Sequence, residues 1–212
     1  MASDTQRHLL LTGFEPFDGD TVNPSGEVAK VLDGHVIGDC VVRSAVLPVQ
    51  HEAALAIIVA KLEASGLIGA LHLGLAGGRA RISLERVGLN VMDYSRPDAH
   101  GQVLRDVECA DDGPAAYFST LPLRDILAAL TAEGIPAAIS NTAGTYLCNY
   151  TLYASLDAVN RRGLALGVGF IHLPFLPSMV AAHGLEQPSM DLAMMVRATE
   201  LALARIAPGR VA

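Results

Sequence analysis

Short apolar runs alternate with helical stripes along most of this chain, and that alternation restricts the fold more than any other feature. The clearest unit spans residues 135–159. Ile135 to Ile139, bounded by Gly134 and Pro136, reads as a buried strand. After the junction S-N-T-A-G-T-Y-L-C-N-Y, hydrophobic and small residues recur at Leu147, Thr151, Leu152, Ser155, Leu156 and Val159, a helical stripe that closes at Arg161, Arg162 and Gly163. Further strands are expected at 8–13, 40–49, 68–75, 82–92 and 164–173, with helices at 25–32, 50–64, 121–132 and 190–206. This order predicts an α/β fold around a largely parallel, mixed sheet. A chain of 212 residues with 51% hydrophobic content suffices for one sizeable core, so one domain over 1–212 is expected.

Charge and cysteine usage exclude several classes of function. Fifteen basic against twenty-two acidic residues give a net charge of −7 with no Lys/Arg run, which argues against nucleic acid or an anionic membrane as partner. Cys40, Cys109 and Cys148 are too few and too irregularly spaced for a disulfide framework or a zinc site, and no cofactor motif is present. The only apolar run near the N-terminus, Leu9 to Leu11, is too short for a signal or a membrane span. A soluble protein of the reducing cytoplasm is the expectation.

The chemistry-bearing residues cluster at the ends of the expected strands. Cys148 falls in the first turn of its helix, where unpaired N–H groups and the positive end of the dipole favour a thiolate; a small buried hydrophobe is the competing reading. Phe14 and Phe17, on the Pro- and Gly-rich loop after the first strand, either line an apolar pocket or fold into the core. Asn23-Pro24 suits an N-cap and first helical position. Gly77 and Gly78 supply a tight turn, and without G-x-x-x-x-G-K-[ST] a phosphate loop is disfavoured. Glu85, beside Arg86, is either a solvated edge residue or a carboxylate held in a polar site. Cys40, among valines, reads as inert, and the carboxylates around Cys109 are expected to raise its pKa. Residues 93–114 form a long polar segment suited to a lid or an assembly surface.

In open α/β sheets, ligands bind beyond the carboxyl ends of the strands. The Phe14/Phe17 loop, the Gly77-Gly78 turn with Glu85, Cys148 and His172 would all fall at that edge, with His172 on the strand expected to neighbour the one before Cys148. A cysteine, a histidine and an orienting carboxylate make a nucleophilic triad.

These residues also carry a family resemblance. L-L-T-G-F-E-P-F-x-G with N-P-S, G-L-A-G-G-R, S-L-E-R-V-G-L-N, G-P-A-A-Y-F-S-T-L-P, S-N-T-A-G-T-Y-L-C-N and G-F-I-H-L-P, in this order, resemble the cysteine-type pyroglutamyl peptidases, also called pyrrolidone-carboxylate peptidases. The resemblance implies a three-layer α/β/α sandwich of the phosphorylase/hydrolase-like kind. It implies hydrolysis of N-terminal pyroglutamyl residues through a thioester, and a homo-oligomer, often a tetramer, otherwise a dimer. Cys148 would be the nucleophile, His172 its base and Glu85 the orienting acid, with Phe14, Phe17 and Asn23 around the pyrrolidone ring. Leu75 takes the binding position where the family commonly has glutamine, and Arg96 lies one place nearer the following proline than is usual. A nucleoside phosphorylase-like transferase and a non-catalytic pyroglutamyl-binding protein are the alternatives.

Overall fold

The computed structural model describes residues 6–184 and 186–207; the outermost residues of the expected 1–212 domain lie outside this range. In chain order the elements are β1 (His8–Phe14), α1 (Pro24–Leu32), β2 (Val36–Ile37), β3 (Cys40–Leu47), α2 (His51–Leu62), β4 (Leu67–Leu75), β5 (Ile82–Glu85), β6 (Val87–Leu89) and β7 (Ala116–Phe118). There follow α3 (Leu123–Ala132), β8 (Ala137–Ser140), α4 (Leu147–Arg161), β9 (Gly167–Leu173), α5 (Pro177–His183) and α6 (Leu192–Ile206). Seven strands form one sheet in the order β2-β3-β1-β4-β9-β5-β8, and β6 pairs with β7 in a separate ribbon. The sheet is mixed, as expected: β3, β1, β4 and β9 are parallel, while β2 pairs antiparallel with β3 and β5 pairs antiparallel with β9.

Strand periodicity sorts the core into two layers. Leu9 and Leu11 of β1, Leu71 and Leu73 of β4, and Ile171 and Leu173 of β9 face one way, onto α1, α3 and α6. Leu10, Phe14, Ala70, Val168 and Phe170 face the other way, onto α2 and α4. Ser83 and Glu85 share this second face with Phe170 and His172, to which β5 is paired. The expected three-layer sandwich is therefore present, and Glu85 and His172 lie on the face that packs onto α2 and α4.

Several boundaries differ from expectation, each for a physical reason. The run 82–92 breaks at Arg86, whose N–H bonds to the Ser140 carbonyl at 2.8 Å while β6 turns away to β7. Pro177 stops β9 but also occupies the first turn of α5, a position that proline favours, so a helix follows where only a stop was expected. Asn23 caps α1 as expected, its side chain accepting from Ser25 N with Pro24 behind it.

The positional argument from carboxyl ends requires correction. β8 runs with β5, and both oppose β4 and β9, so Glu85 and Cys148 do not follow strands that end at the same edge as β1, β4 and β9. Nor do the strands flanking α4 pair with each other, because β5 lies between β9 and β8. Residues 141–146 instead lead from the end of β8 to the start of α4. The insertion of β5 is what sets Glu85 beside His172.

α4 is buried along almost its whole length, polar positions included. Residues 87–118 provide its outer cover: Asn149 accepts from Leu89 N at 2.8 Å and donates to the Leu89 and Val91 carbonyls at 2.9 Å, and Tyr153 Oη donates to Pro114 O at 2.7 Å. Of the long polar segment 93–114, Pro114 and Asp111, whose carbonyl accepts from Arg161 Nη2 at 2.9 Å, take part in this cover.

His72, fully buried on β4, meets Thr12 Oγ1 at 2.8 Å through Nδ1, and burial pushes its pKa down to about 3. The folded imidazole stays neutral while the unfolded one charges below about pH 6.5, so this group destabilises the fold as pH falls from that value towards 3. Between pH 7 and 4.5 the native protein should lose about 2–3 kcal/mol more stability than His72→Gln. Urea unfolding of the two proteins at both pH values checks this, and equal losses would contradict it.

Candidate active site

Cys148 enters the site as the second residue of α4, after an N-cap position, Tyr146, whose side chain makes no capping bond. Among the described residues no side chain bonds to the first N–H groups of the helix, which leaves them available to an anion. The sulfur lies against Gly74 of β4: a Cβ built there would sit 2.9 Å from Sγ and 2.7 Å from Phe170 Cζ. Gly74 is paired with His172 in the neighbouring strand. Its missing side chain is what lets the thiol descend onto the sheet beside the imidazole.

His172, buried on β9, donates from Nδ1 to Glu85 Oε1 at 2.7 Å, and its ring packs 4.9 Å from that of Phe170. With Nδ1 engaged by a carboxylate, Nδ1 carries the proton and Nε2 is left for the sulfur. Burial is the largest influence on this imidazole and works against its charge. The combined charge attraction and hydrogen bonding of Cys148 and Glu85 outweigh it, raising the pKa to about 9.

Glu85 has no exposure to solvent. Burial, the largest influence, pushes its pKa up, but His172, Ser140 and Arg79 together hold it below the ordinary carboxylate value. Arg79 Nη1 donates to the same oxygen, Oε1, at 2.7 Å. The Ser140 hydroxyl adjoins Glu85 across the β5/β8 pair but directs its proton to Thr142 O at 3.0 Å, so Oε2 has no hydrogen-bond partner among the described residues. Glu85 is thus the carboxylate held in a polar site, not a solvated edge residue.

In front of this set lies a cavity of about 510 Å³ whose lining includes Cys148, Phe14, Phe17, Asn23, Leu75 and Tyr146. All four residues expected at the binding position are present in its wall. Phe14 answers both readings at once, being part of the core and of the cavity. Phe17 and Tyr146 stack at 6.3 Å between ring centroids, and Tyr146 Oη donates to Pro97 O at 3.0 Å. Asn23 is held by its cap bonds and donates one N–H to Glu15 O at 3.1 Å, which leaves the other free. Arg96 also reaches the cavity and pairs with Asp18, while Asp20 binds His183 at 2.7 Å on the same rim.

The other cysteines are poor nucleophiles. Burial, ahead of the neighbouring Asp39, lifts Cys40 to about 11. Cys109 is lifted to about 12, also by burial, so the expected direction holds but its cause is not the flanking carboxylates. Sequence reading missed Gly74, Arg79, Tyr146 and Asn149. Tyr146 alone carried a local signal, as an aromatic two residues before the cysteine.

Residues 7–208 match the pyroglutamyl peptidase family model. This chain belongs to that family. It is 47% identical to a pyrrolidone-carboxylate peptidase of Klebsiella pneumoniae, over 92% of this chain and 91% of the relative, and 42% identical to that of Pyrococcus furiosus, over 92% and 95%. Among solved structures, a pyrrolidone carboxyl peptidase variant from P. furiosus superposes with a TM-score of 0.92 at 40% identity, covering 96% of this chain and all of the other. Pyroglutamyl peptidase I from Bacillus amyloliquefaciens gives 0.91 at 34% identity, covering 96% of both chains.

A methyl group at position 74 tests the close approach of the sulfur. Gly74→Ala should push Cys148 off the sheet, slow its alkylation by iodoacetamide at least several-fold and cost about 1–3 kcal/mol of stability. Unchanged alkylation rate and melting temperature would show that the packing there is slack.

Proposed function

We propose that this protein is a cysteine exopeptidase that removes the N-terminal pyroglutamyl residue from peptides, with Cys148 as nucleophile, His172 as proton carrier and Glu85 as its orienting acid. The observation that supports it best is the chain of contacts Glu85–His172–Cys148 at the floor of an aromatic-walled cavity, in a chain that belongs to the pyroglutamyl peptidase family.

With its proton already resting on Nε2 of His172, Sγ of Cys148 attacks the pyroglutamyl carbonyl carbon and forms a C–S bond. The carbonyl oxygen takes up negative charge near the unpaired N–H groups at the start of α4, which stabilise it as it develops. Nε2–H then protonates the leaving nitrogen, the C–N bond breaks, and a thioester remains. Water, deprotonated by the same nitrogen, hydrolyses the thioester to free pyroglutamate and the thiol. Glu85 holds the imidazole in the tautomer that this cycle needs. Leu75 can serve the lactam only through its backbone and its apolar side chain; Asn23 offers one free N–H, and Phe14, Phe17 and Tyr146 provide walls for the ring.

A phosphorylase would need a phosphate cradle, and the Gly77-Gly78 turn is a poor one. Gly77 is pressed against the Phe175 ring, and Arg79 is bonded to Glu85. We further assign the protein to the cytoplasm, where three unpaired thiols stay reduced; no helix among the described residues is long and apolar enough to cross a membrane. One catalytic domain over 1–212 and a homo-oligomer, dimer or tetramer, complete the reading. Val103 and Val107, exposed on the long segment, favour a contact there.

Release of a chromogenic amine from its pyroglutamyl amide is the direct test. Cys148→Ala should abolish it, while Cys40→Ala and Cys109→Ala should retain it; activity in Cys148→Ala would refute the mechanism. The basic limb of kcat/KM should lie near pH 9, because His172 is protonated below that value and above it can no longer donate to the leaving amine. The matched prolyl amide should be turned over roughly 10⁴-fold less well, since it leaves the groups that read the lactam unpaired.

A further inference from the structure

We propose that Arg79 is a positioning residue of this site, binding the carboxylate oxygen of Glu85 that also holds His172 and thereby tying the substrate cavity to the proton carrier. The inference rests on the functional reading above and adds a fourth member to it.

Three observations carry it. First, Nη1 of Arg79 and Nδ1 of His172 each lie 2.7 Å from Oε1 of Glu85, so guanidinium and imidazole share one oxygen while Oε2 has no hydrogen-bond partner among the described residues. Such a carboxylate cannot rotate to offer its other oxygen to His172 without breaking the arginine bond. Second, Glu85 has no exposure to solvent while the Arg79 side chain is one-third exposed. A buried carboxylate facing only an imidazole that gains and loses its proton would stand unpaired whenever His172 is neutral; Arg79 supplies a charge that does not titrate in this range. Third, Arg79 directly follows Gly77 and Gly78, which line the cavity. The turn is fixed by two glycines, one with φ of +80° and one against Phe175, where a Cβ would lie 2.3 Å from the ring.

The groups facing Glu85 are His172 from β9, Ser140 from β8 and Arg79 from the turn, with Cys148 of α4 beyond His172. Ser140 is neutral and gives its proton to Thr142. Removing Arg79 therefore leaves the carboxylate with one donor that titrates and no permanent positive charge. It should then take up a proton at higher pH, and His172 should lose its orienting partner in acid.

The test uses Arg79→Met, which keeps the length and removes the charge, and Arg79→Lys, which keeps the charge. In Arg79→Met, kcat on the pyroglutamyl amide should fall at least tenfold with KM changed less than threefold. The acid limb of kcat/KM should move up by half a pH unit or more, and Arg79→Lys should recover most of that displacement. Iodoacetamide alkylation of Cys148 against pH should show the same shift without any substrate. A raised KM with unchanged kcat would overturn the proposal, making Arg79 a substrate ligand, and so would an unmoved acid limb. If Arg79→Met fails to give a native circular dichroism spectrum, Arg79→Lys decides alone: a native-like acid limb supports the proposal, and one shifted as far as a half unit overturns it. Wild-type protein inactive on pyroglutamyl amides would instead refute the functional reading, and the alkylation profiles would still report on Arg79.

Discussion

A carboxylate cut off from water is the constraint around which this structure is arranged. Glu85 sits on the sheet face beneath α4, where burial disfavours its charge, and it keeps that charge through His172 of β9 and Arg79 of the turn after β4, beside Ser140 of β8. None of the three is local in sequence to it except Arg79, and even that contact needs the glycine turn to fold the arginine back over six residues. The sheet order supplies the rest. With β5 placed antiparallel between β9 and β8, Glu85 lies opposite Phe170 and within reach of His172, two residues farther along β9.

This explains what was legible in the sequence and what was not. Strand and helix positions follow from local periodicity, and so do the residue types: a cysteine in a first helical turn, a histidine near a strand end, aromatics on a loop. The reasoning that joined them used the rule that ligands lie beyond carboxyl strand ends, and here that rule does not bring Glu85 and Cys148 to the edge where β1, β4 and β9 end. β5 and β8 oppose the central strands, a direction no periodicity records. Gly74 shows the same limit. Within a run of leucines it is an unremarkable glycine, and only the packing of Cys148 Sγ and Phe170 over it reveals why a side chain does not fit.

The long segment after β6 illustrates a different limit. Its polarity suggested a lid or a subunit contact, yet the backbone at its end, Asp111 and Pro114, and the chain just before it bond to α4, a helix buried on nearly all sides that carries Asn149 and Asp157 inward. Buried polar side chains need partners. Asn149 finds them in the backbone at Leu89 and Val91, and Asp157 in the Tyr117 hydroxyl and Arg161. The residue directly after the proposed nucleophile thereby clamps its helix to the chain that continues from Glu85. Nucleophile and carboxylate are set relative to each other from both sides of the sheet's pairing, through the strands and through this clamp.

The cavity completes the argument about what such a site accepts. Among the described residues its rim carboxylates already have partners, Asp18 in Arg96 and Asp20 in His183, so a ligand bringing a charged α-amino group finds no unengaged carboxylate there and loses its hydration. Farther in, the walls are aromatic and aliphatic, with Asn23 offering one N–H. A pyroglutamyl ring suits this surface because its nitrogen is an uncharged amide and its methylene edge is apolar. In the proposed mechanism the charge is kept out of the binding surface, since Glu85 bonds to the imidazole of His172 and only Cys148 of the three lines the cavity. Recognition of a neutral ring and activation of a thiol are thus separated by the depth of one side chain.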